Sequence, residues 1–428
     1  MNKLLLSFLG AFISFTLYAQ GVKEEIRQNP LLTASNYMAY PGPQQQELTP
    51  APKDMKPFYI SHYGRHGSRY HSKPSMYNAP YLTLAKADSL GKLTPLGHEI
   101  MLQLDTIRQD AMNRWGDLTP LGAEQHRQIA HRMIDRFPEV FEGKTTIDAR
   151  STTMGRCILS MEYALLEMLK MRPKLKIHHN ATHRDMDILN FQDKKIFALK
   201  TNVPAKTLYR DYARKHENSS RLMASLFNDS SYVRQHVDAS DFDFQLLLLA
   251  SILHNCEIGK RISLFHLYTL DELYQNWLVG NAYWYIAWGG CTVNGGVQPY
   301  TQRNLLRKMV HDADSLIATP RNNVQLRFGH ETVLMPLICL MDVNGYGLAT
   351  DNMDILEEKG WINYRVFPMA ANLQLVFYRR HPEDRDVLFK VLLNENEAKL
   401  PLPTDQPPYY KWSDFRNYAL QKLDAYQE

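Results

Sequence analysis

The sequence has few of the features that mark several common protein classes. It contains only four cysteines in 428 residues, widely spaced and without a CxxC pair, so it does not predict a zinc site. It has no GxxxxGK(S/T), HExxH or GxSxG string, which leaves a nucleotide-binding P-loop, a zincin and a serine hydrolase without support. The formal net charge of +4 is too small to predict nucleic acid as a partner.

The cysteines suggest little about redox chemistry. Cys157 and Cys339 each lie in an apolar helical run, which predicts buried free thiols. A disulfide between Cys256 and Cys291 stays open as an alternative, because an exported protein would meet an oxidising compartment.

Long apolar runs are also scarce. Residues 4–19 follow Lys3 and are almost entirely apolar, and Ala19 supplies a small residue. This pattern predicts a signal peptide over residues 1–19, with a membrane anchor as the alternative. The next longest run, residues 242–253, is too short to cross a bilayer. We therefore expect an exported protein, periplasmic or extracellular, that has no contact with the membrane after cleavage.

The composition is that of a folded protein, with 44% hydrophobic and 22% charged residues. The length favours two domains, or one domain with a large insertion. The pattern predicts an α/β fold, with a mainly parallel sheet flanked by helices and a smaller, all-helical inserted domain. The expected division is an N-terminal arm at 20–56, a catalytic domain at 57–179 and 316–428, and the helical insertion at 180–315. The sequence leaves the oligomeric state open.

Local patterns place the secondary structure that matters for the site. The string LTPLG occurs at 93–97 and 118–122, where Thr followed by Pro predicts the start of a helix. The other expected elements are strands at 56–60, 145–149, 324–327, 373–378 and 387–393, and helices at 152–171 and 333–341.

The most informative string is Arg65-His66-Gly67-Ser68-Arg69, directly after the first expected strand. Guanidinium groups bind phosphate oxygens bidentately. A histidine held between two of them can attack phosphorus, because the cations offset the charge of the incoming dianion. Open α/β sheets place their sites at such strand ends.

Two further strand ends carry compatible residues. Arg150 would supply the third guanidinium that a phosphate clamp needs, although taken alone it favours an ordinary surface arginine. His330 could polarise the phosphate from the far side. Glu331 could protonate the leaving oxygen, or could only complement the dipole of the helix that it starts.

These strings together resemble the histidine acid phosphatases, a branch of the histidine phosphatase superfamily. The resemblance rests on RHGSR (65–69), ARSTTMGRC (149–157) and GHET (329–332), in this order. Further stretches resemble the multiple inositol polyphosphate phosphatases and phytases, namely residues 118–138, 368–379 and 391–397. The similarity covers roughly residues 25–400 and is weakest in the helical insertion.

The resemblance implies roles for individual residues. His66 would carry the phosphoryl group, the phosphate would be held by Arg65, Arg69 and Arg150, and His330 would lie beside it. Glu331 falls at the position of the proton donor, where many relatives have aspartate. Thr332 falls where the inositol polyphosphate branch has its glutamate. Ser68, Tyr70 and Thr332 could line the pocket.

The expected activity is hydrolysis of a small anionic phosphomonoester through a phosphohistidine, with an inositol polyphosphate such as phytate as the favoured substrate. Alternatives are a broad acid or sugar phosphatase and, in a different class, a non-catalytic phosphate-binding protein. No cofactor or metal is expected, because His62, His66 and His71 are irregularly spaced and lack a carboxylate cluster nearby. An acidic pH optimum is expected, because the donor carboxyl must start protonated.

Overall fold

Eight strands form one sheet, whose spatial order is β3-β2-β4-β1-β5-β6-β7 with β8 beside β6. The computed structural model describes residues 21–191 and 193–426, so the expected signal peptide lies outside the described residues. The strands are β1 (Lys56–Arg65), β2 (Thr146–Ser151), β3 (Lys176–Asn180), β4 (Asn323–Gly329), β5 (Asn372–Arg379), β6 (Leu388–Leu393), β7 (Asn396–Ala398) and β8 (Tyr410–Lys411).

The sheet confirms the α/β class, but it is mixed rather than mainly parallel. Strands β3, β2, β4 and β1 run parallel, whereas β5, β6, β7 and β8 pair antiparallel. The turn between β6 and β7 explains part of this reversal. Asn394 and Glu395 both have positive φ, 52° and 63°, which is the geometry of a tight two-residue hairpin.

Helices cover both faces of the sheet and form a separate helical region. They are α1 (Val22–Gln28), α2 (Ser75–Ser89), α3 (Pro95–Asp110), α4 (Pro120–Arg136), α5 (Gly155–Met171), α6 (Met186–Leu189), α7 (Lys194–Leu199), α8 (Val203–His216), α9 (Ser220–Leu226), α10 (Ser230–His236), α11 (Ala239–Leu253), α12 (Leu270–Trp288), α13 (Arg303–Ile317), α14 (Glu331–Met341) and α15 (Trp412–Asp424). None of the described helices is long and apolar enough to cross a membrane.

Three apolar clusters organise the packing. One lies between the sheet and helices α4 and α5, and a second lies between the opposite face and α13, α14 and α15. The third joins α2 and α3 to α9, α11 and α12. The helices between β3 and β4 therefore share a core with helices that precede β2, and the expected domain boundaries at 180 and 315 stay a prediction.

The two LTPLG strings start helices as expected, and their glycines allow close packing. Thr94 and Thr119 cap α3 and α4 by accepting from the amides three residues ahead, at 3.0 and 3.2 Å. A Cβ atom at Gly122 would lie 2.3 Å from the Ser68 carbonyl oxygen, and one at Gly67 would lie 2.4 Å from the Gly122 carbonyl oxygen. Helix α4 therefore begins in backbone contact with the loop that follows β1.

All four cysteines are free and buried, which confirms the two predicted thiols. The alternative disulfide between Cys256 and Cys291 does not form. Cys256 lies in the cluster with α2 and α11, and Cys291 lies in the cluster with α13 and α14. Each thiol is therefore enclosed by a different core.

Buried neutral histidines predict a loss of stability in acid. Burial lowers the pKa of His62, His71 and His126 to about 3, with smaller contributions from neighbouring charges at His62 and His71, against roughly 6.5 in an unfolded chain. Between these values the unfolded state binds protons that the native state does not, so stability is full above about pH 6.5 and falls towards pH 3. Each histidine should contribute a slope of up to about 1.4 kcal/mol per pH unit.

Urea unfolding of the wild type and His62→Gln between pH 7 and pH 4 measures this slope. We expect a shallower dependence of the unfolding free energy on pH in the variant. Equal slopes in the two proteins would contradict the assignment of His62 as a buried neutral group.

Candidate active site

The carboxyl end of β1 places His66 at the centre of the sheet. The ladder continues past the strand, since the Arg65 amide donates to the Ala371 carbonyl oxygen at 2.8 Å and the His66 amide to the Gly329 carbonyl oxygen at 2.9 Å. The backbone of His66 is therefore held between the ends of β4 and β5.

The ring of His66 is buried in a form suited to nucleophilic attack. Its Nδ1 lies 2.9 Å from the Gly67 carbonyl oxygen, so Nδ1 carries the proton and Nε2 presents a lone pair. Within the described residues Nε2 has no hydrogen-bond partner. Burial, followed by Arg65 and Arg156, lowers the pKa of His66 well below its usual value, which keeps the imidazole neutral.

Three guanidinium groups act on this histidine: Arg65, Arg69 and Arg156, here called the arginine cluster. Arg65 is fully buried and Arg69 nearly so. In the described part of the chain, Arg65 Nη2, Arg69 Nε and Arg156 Nε are buried donors without a hydrogen-bond acceptor. Unpartnered buried donors are rare because they cost free energy. A bound anion would satisfy all three.

The structure corrects the expected position of Arg150. Its Nε donates to Asp148 Oδ1 at 3.0 Å, and its Nη1 lies 3.6 Å from Asp185 Oδ2. Strand β2 continues through Ser151, so Arg150 and Asp148 share one face of the sheet by alternation. That face borders a separate cavity of about 550 Å³. The third guanidinium near His66 is that of Arg156.

Arg156 was missed because the expected helix began three residues too early. Helix α5 starts at Gly155, which places Arg156 in its first turn. The residue stands inside the same ARSTTMGRC string, and a helix start assigned at Gly155 would have directed attention to it.

Strand β4 and the start of α14 supply the opposite side of the site. The rings of His66 and His330 lie 5.7 Å apart, centroid to centroid. Burial is the largest influence on His330 and, although Glu331 opposes it, the pKa of His330 falls to about 4. Thr152 Oγ1 lies 3.4 Å from His330 Nε2, and the Cys157 thiol lies within 4 Å of both ring nitrogens.

Glu331 points into the arginine cluster. Its Oε2 lies 3.0 Å from Arg65 Nε and 3.7 Å from His66 Nε2. Burial raises the pKa of Glu331, but the charges of Arg65 and Arg69, with that of His330, outweigh burial and bring it to about 2. The side chain is therefore a carboxylate in this arrangement, and the expectation that it starts protonated is not met here.

The three expected pocket-lining residues differ in what they can do. Ser68 is fully buried, with its Oγ donating to Asn255 Oδ1 at 2.6 Å and accepting from Gln125 Nε2 at 2.9 Å. Tyr70 lies in the apolar core with α2 and α11. Both side chains are buried, and the lining role expected for them stays a prediction. Thr332 is partly exposed, next to Glu331.

His66, His330 and Glu331 also place ligand atoms within 4.8 Å of one another, which is a geometry that a metal ion can use. The arginine cluster acts on all three of these side chains. Positive charge at this density repels a cation and attracts an anion. The site is therefore suited to an anion.

Comparison with known proteins gives one family. The sequence profile of the histidine phosphatase superfamily (branch 2) matches residues 64–394, more than half of the chain. Among curated proteins, none shows significant similarity.

Solved structures with the same fold include a multiple inositol polyphosphate phosphatase and two phytases. The multiple inositol polyphosphate phosphatase of Bifidobacterium longum, in complex with inositol hexasulfate, has a TM-score of 0.71 at 17% identity, over 90% of this chain and 97% of that one. The phytase from D. castellii has a TM-score of 0.70 at 14% identity, over 99% and 92%. The Hafnia alvei phytase has a TM-score of 0.52 at 15% identity, over 87% and 98%.

Proposed function

The chain belongs to branch 2 of the histidine phosphatase superfamily, and from this premise we propose that it hydrolyses phosphomonoesters of inositol polyphosphates, such as phytate, through a phosphohistidine at His66. The observation that carries the proposal is the buried lone pair of His66 Nε2 beside three unpartnered guanidinium donors. Inositol hexasulfate, bound by the Bifidobacterium longum phosphatase, supports the substrate class.

In the first step, His66 Nε2 attacks phosphorus in line and the bond to the leaving oxygen breaks. The arginine cluster stabilises the charge on the three phosphoryl oxygens. The Nδ1 proton, held by the Gly67 carbonyl oxygen, stabilises the positive charge of the phosphorylated ring. Glu331 gives its proton to the leaving alkoxide.

The pKa of Glu331 makes this proton transfer dependent on the substrate. Arg65 and Arg69 keep its pKa at about 2 against the effect of burial. A phosphate dianion among these guanidinium groups neutralises much of that positive field and so raises the pKa. The carboxyl group then takes up a proton, and its burial favours the neutral form. In the second step, water attacks phosphorus and gives a proton to the Glu331 carboxylate. The bond between phosphorus and His66 Nε2 breaks, which releases phosphate and restores His66.

Phosphate release from phytate and from p-nitrophenyl phosphate near pH 5 tests the proposal. Turnover of phytate supports the inositol polyphosphatase. Turnover of the aryl ester alone would favour a broad acid phosphatase. Phytate binding without release of phosphate from either ester would contradict the enzymatic function and favour a non-catalytic phosphate-binding protein.

The two arginines that the structure distinguishes give a matched pair of variants. Arg156→Ala should lower kcat/KM on either ester by about 10²- to 10³-fold, because it removes a preorganised charge from the transition state. Arg150→Ala should change kcat/KM by less than about 3-fold, because its side chain is paired with Asp148 and Asp185. Steady-state kinetics of the two variants measure this difference. A larger loss in Arg150→Ala than in Arg156→Ala would assign the third phosphate-binding guanidinium to Arg150, as the sequence predicted.

We also propose that the protein is exported and that cleavage follows Ala19. The support is the basic start and apolar run of the first 19 residues. N-terminal sequencing of the mature protein tests this, and an intact residue Met1 in the extracellular or periplasmic fraction would contradict it.

A further inference from the structure

The N-terminal arm reaches the proton donor from a distance of 295 residues in the sequence. Asn36 is the second-to-last residue of a 3₁₀ segment, Pro30–Tyr37, and is buried. Its side-chain Nδ2 donates to Glu331 Oε1 at 3.3 Å. Its backbone carbonyl oxygen accepts a hydrogen bond from Arg65 Nη1. One arm residue therefore contacts both the expected general acid and the arginine that pairs with it.

The two oxygens of Glu331 have different surroundings. Oε2 faces Arg65 Nε at 3.0 Å and His66 Nε2 at 3.7 Å, whereas Oε1 faces the Asn36 amide. An amide N–H can only donate, so it holds Oε1 as an acceptor. Asn36 and Arg65 therefore each contact a different oxygen of the carboxyl group, and together they fix its orientation beside the nucleophile.

A glutamate at this position needs such a restraint. Its side chain has one more torsion than aspartate, and the terminal torsion of a carboxylate is broad. Fixing the carboxyl plane beforehand removes an entropic cost from the step that needs it. Asn36 supplies a fixed contact to Oε1, while Arg65 Nε lies beside Oε2.

We propose that Asn36 is a positioning residue that fixes the carboxyl group of Glu331 in the orientation from which it gives its proton to the leaving oxygen. The proposal rests on the proposed function, in which Glu331 is the general acid. It assigns to the N-terminal arm a direct part in the reaction.

The arm is held firmly enough to perform this role. Asn363 Nδ2 donates to Ser35 Oγ at 2.8 Å, and Ser35 has a positive φ of 55°, which turns the chain just before Asn36. On the other side, Asn255 Nδ2 donates to the Tyr37 carbonyl oxygen at 2.7 Å. The side chain of Asn255 also accepts from Ser68 Oγ, so one amide ties the arm to the loop that carries His66.

Kinetics on two esters test the proposal. In Asn36→Ala and in the isosteric Asn36→Asp, which cannot donate when ionised, kcat on phytate should fall about 10- to 100-fold. The kcat on p-nitrophenyl phosphate should change by less than about 3-fold, because nitrophenolate leaves without a proton. KM should stay within about 3-fold for both esters, because the arginine cluster is intact.

Asn29→Ala is the matched control. Asn29 caps the same 3₁₀ segment by accepting from the Leu31 amide at 3.2 Å, so its removal loosens the arm without touching Glu331. The Asn29→Ala variant should change kcat on phytate and on p-nitrophenyl phosphate by the same factor. Equal losses on both esters in either Asn36 variant, or no loss on phytate, would overturn the positioning role.

The parent proposal fails in a different way. If the wild type releases phosphate from neither ester, or if Glu331→Gln slows both equally, then Glu331 is not the general acid and the inference about Asn36 fails with it. If the wild type and Glu331→Gln behave as proposed and the Asn36 variants do not, only the inference about Asn36 fails.

Discussion

His66→Ala should lose hydrolysis of both phytate and p-nitrophenyl phosphate, with kcat reduced by roughly 10⁴-fold or more. The reason is that Nε2 of His66 is the atom that would form the bond to phosphorus, and both esters need this bond. The leaving group does not affect this requirement. The arginine cluster remains in the variant, so phytate should still bind.

Two measurements make this result specific. Rapid acid quench of the wild type during turnover, followed by mass spectrometry, should detect a phosphorylated peptide that contains His66. The exposed histidine His98, which pairs with Asp88 on the surface, gives the control His98→Ala, expected to retain full activity. Residual activity in His66→Ala above about a tenth of the wild-type activity would contradict a covalent mechanism through His66.

The second large effect concerns the leaving group. Glu331→Gln should lower kcat on phytate by about 10²- to 10⁴-fold, the usual contribution of a general acid. On p-nitrophenyl phosphate the loss should be less than about 10-fold, because this leaving group departs as a stable anion. Glutamine keeps the shape of the side chain and can still contact Arg65. A larger loss on phytate than on p-nitrophenyl phosphate therefore reports the missing proton rather than a change of shape.

The same variant tests the dependence of the Glu331 pKa on its surroundings. In the wild type, the fall in kcat on phytate at higher pH should follow loss of the proton from Glu331 in the substrate complex. In Glu331→Gln this limb should disappear. An unchanged limb, or an equal loss on both esters, would assign the acid to another group.

Local patterns in the sequence predicted the elements that carry the site. The strand before Arg65 and the two LTPLG helix starts follow from short-range chemistry: extended aromatic and branched residues, then threonine caps with proline in the first turn. Such signals lie within a few residues of each other, so they can be read without knowledge of the fold. Local strings also pointed to His66 and Glu331 as candidates, and the resemblance to the histidine acid phosphatases implied their roles.

Local patterns could not predict which of Arg150 and Arg156 lies near His66. Both stand in one nine-residue string, and only the length of β2 and the start of α5 determine which of them faces His66. Because side chains alternate between the two faces of a strand, the inclusion of Arg150 in β2 sets the face to which its side chain points. Local patterns also could not predict that the sheet contains antiparallel strands, because the antiparallel pairing of β1 with β5 joins segments about 300 residues apart.

By itself, the sequence determined the family and pointed to His66 as the candidate nucleophile between two arginines, because a few adjacent residues carry that chemistry. Only the tertiary structure decided which arginines converge, that Glu331 is a carboxylate beside Arg65, and that Asn36 reaches Glu331 from the N-terminal arm. These properties depend on distances between chain segments that are far apart in sequence and on the burial that those contacts create. Local residue patterns contain neither.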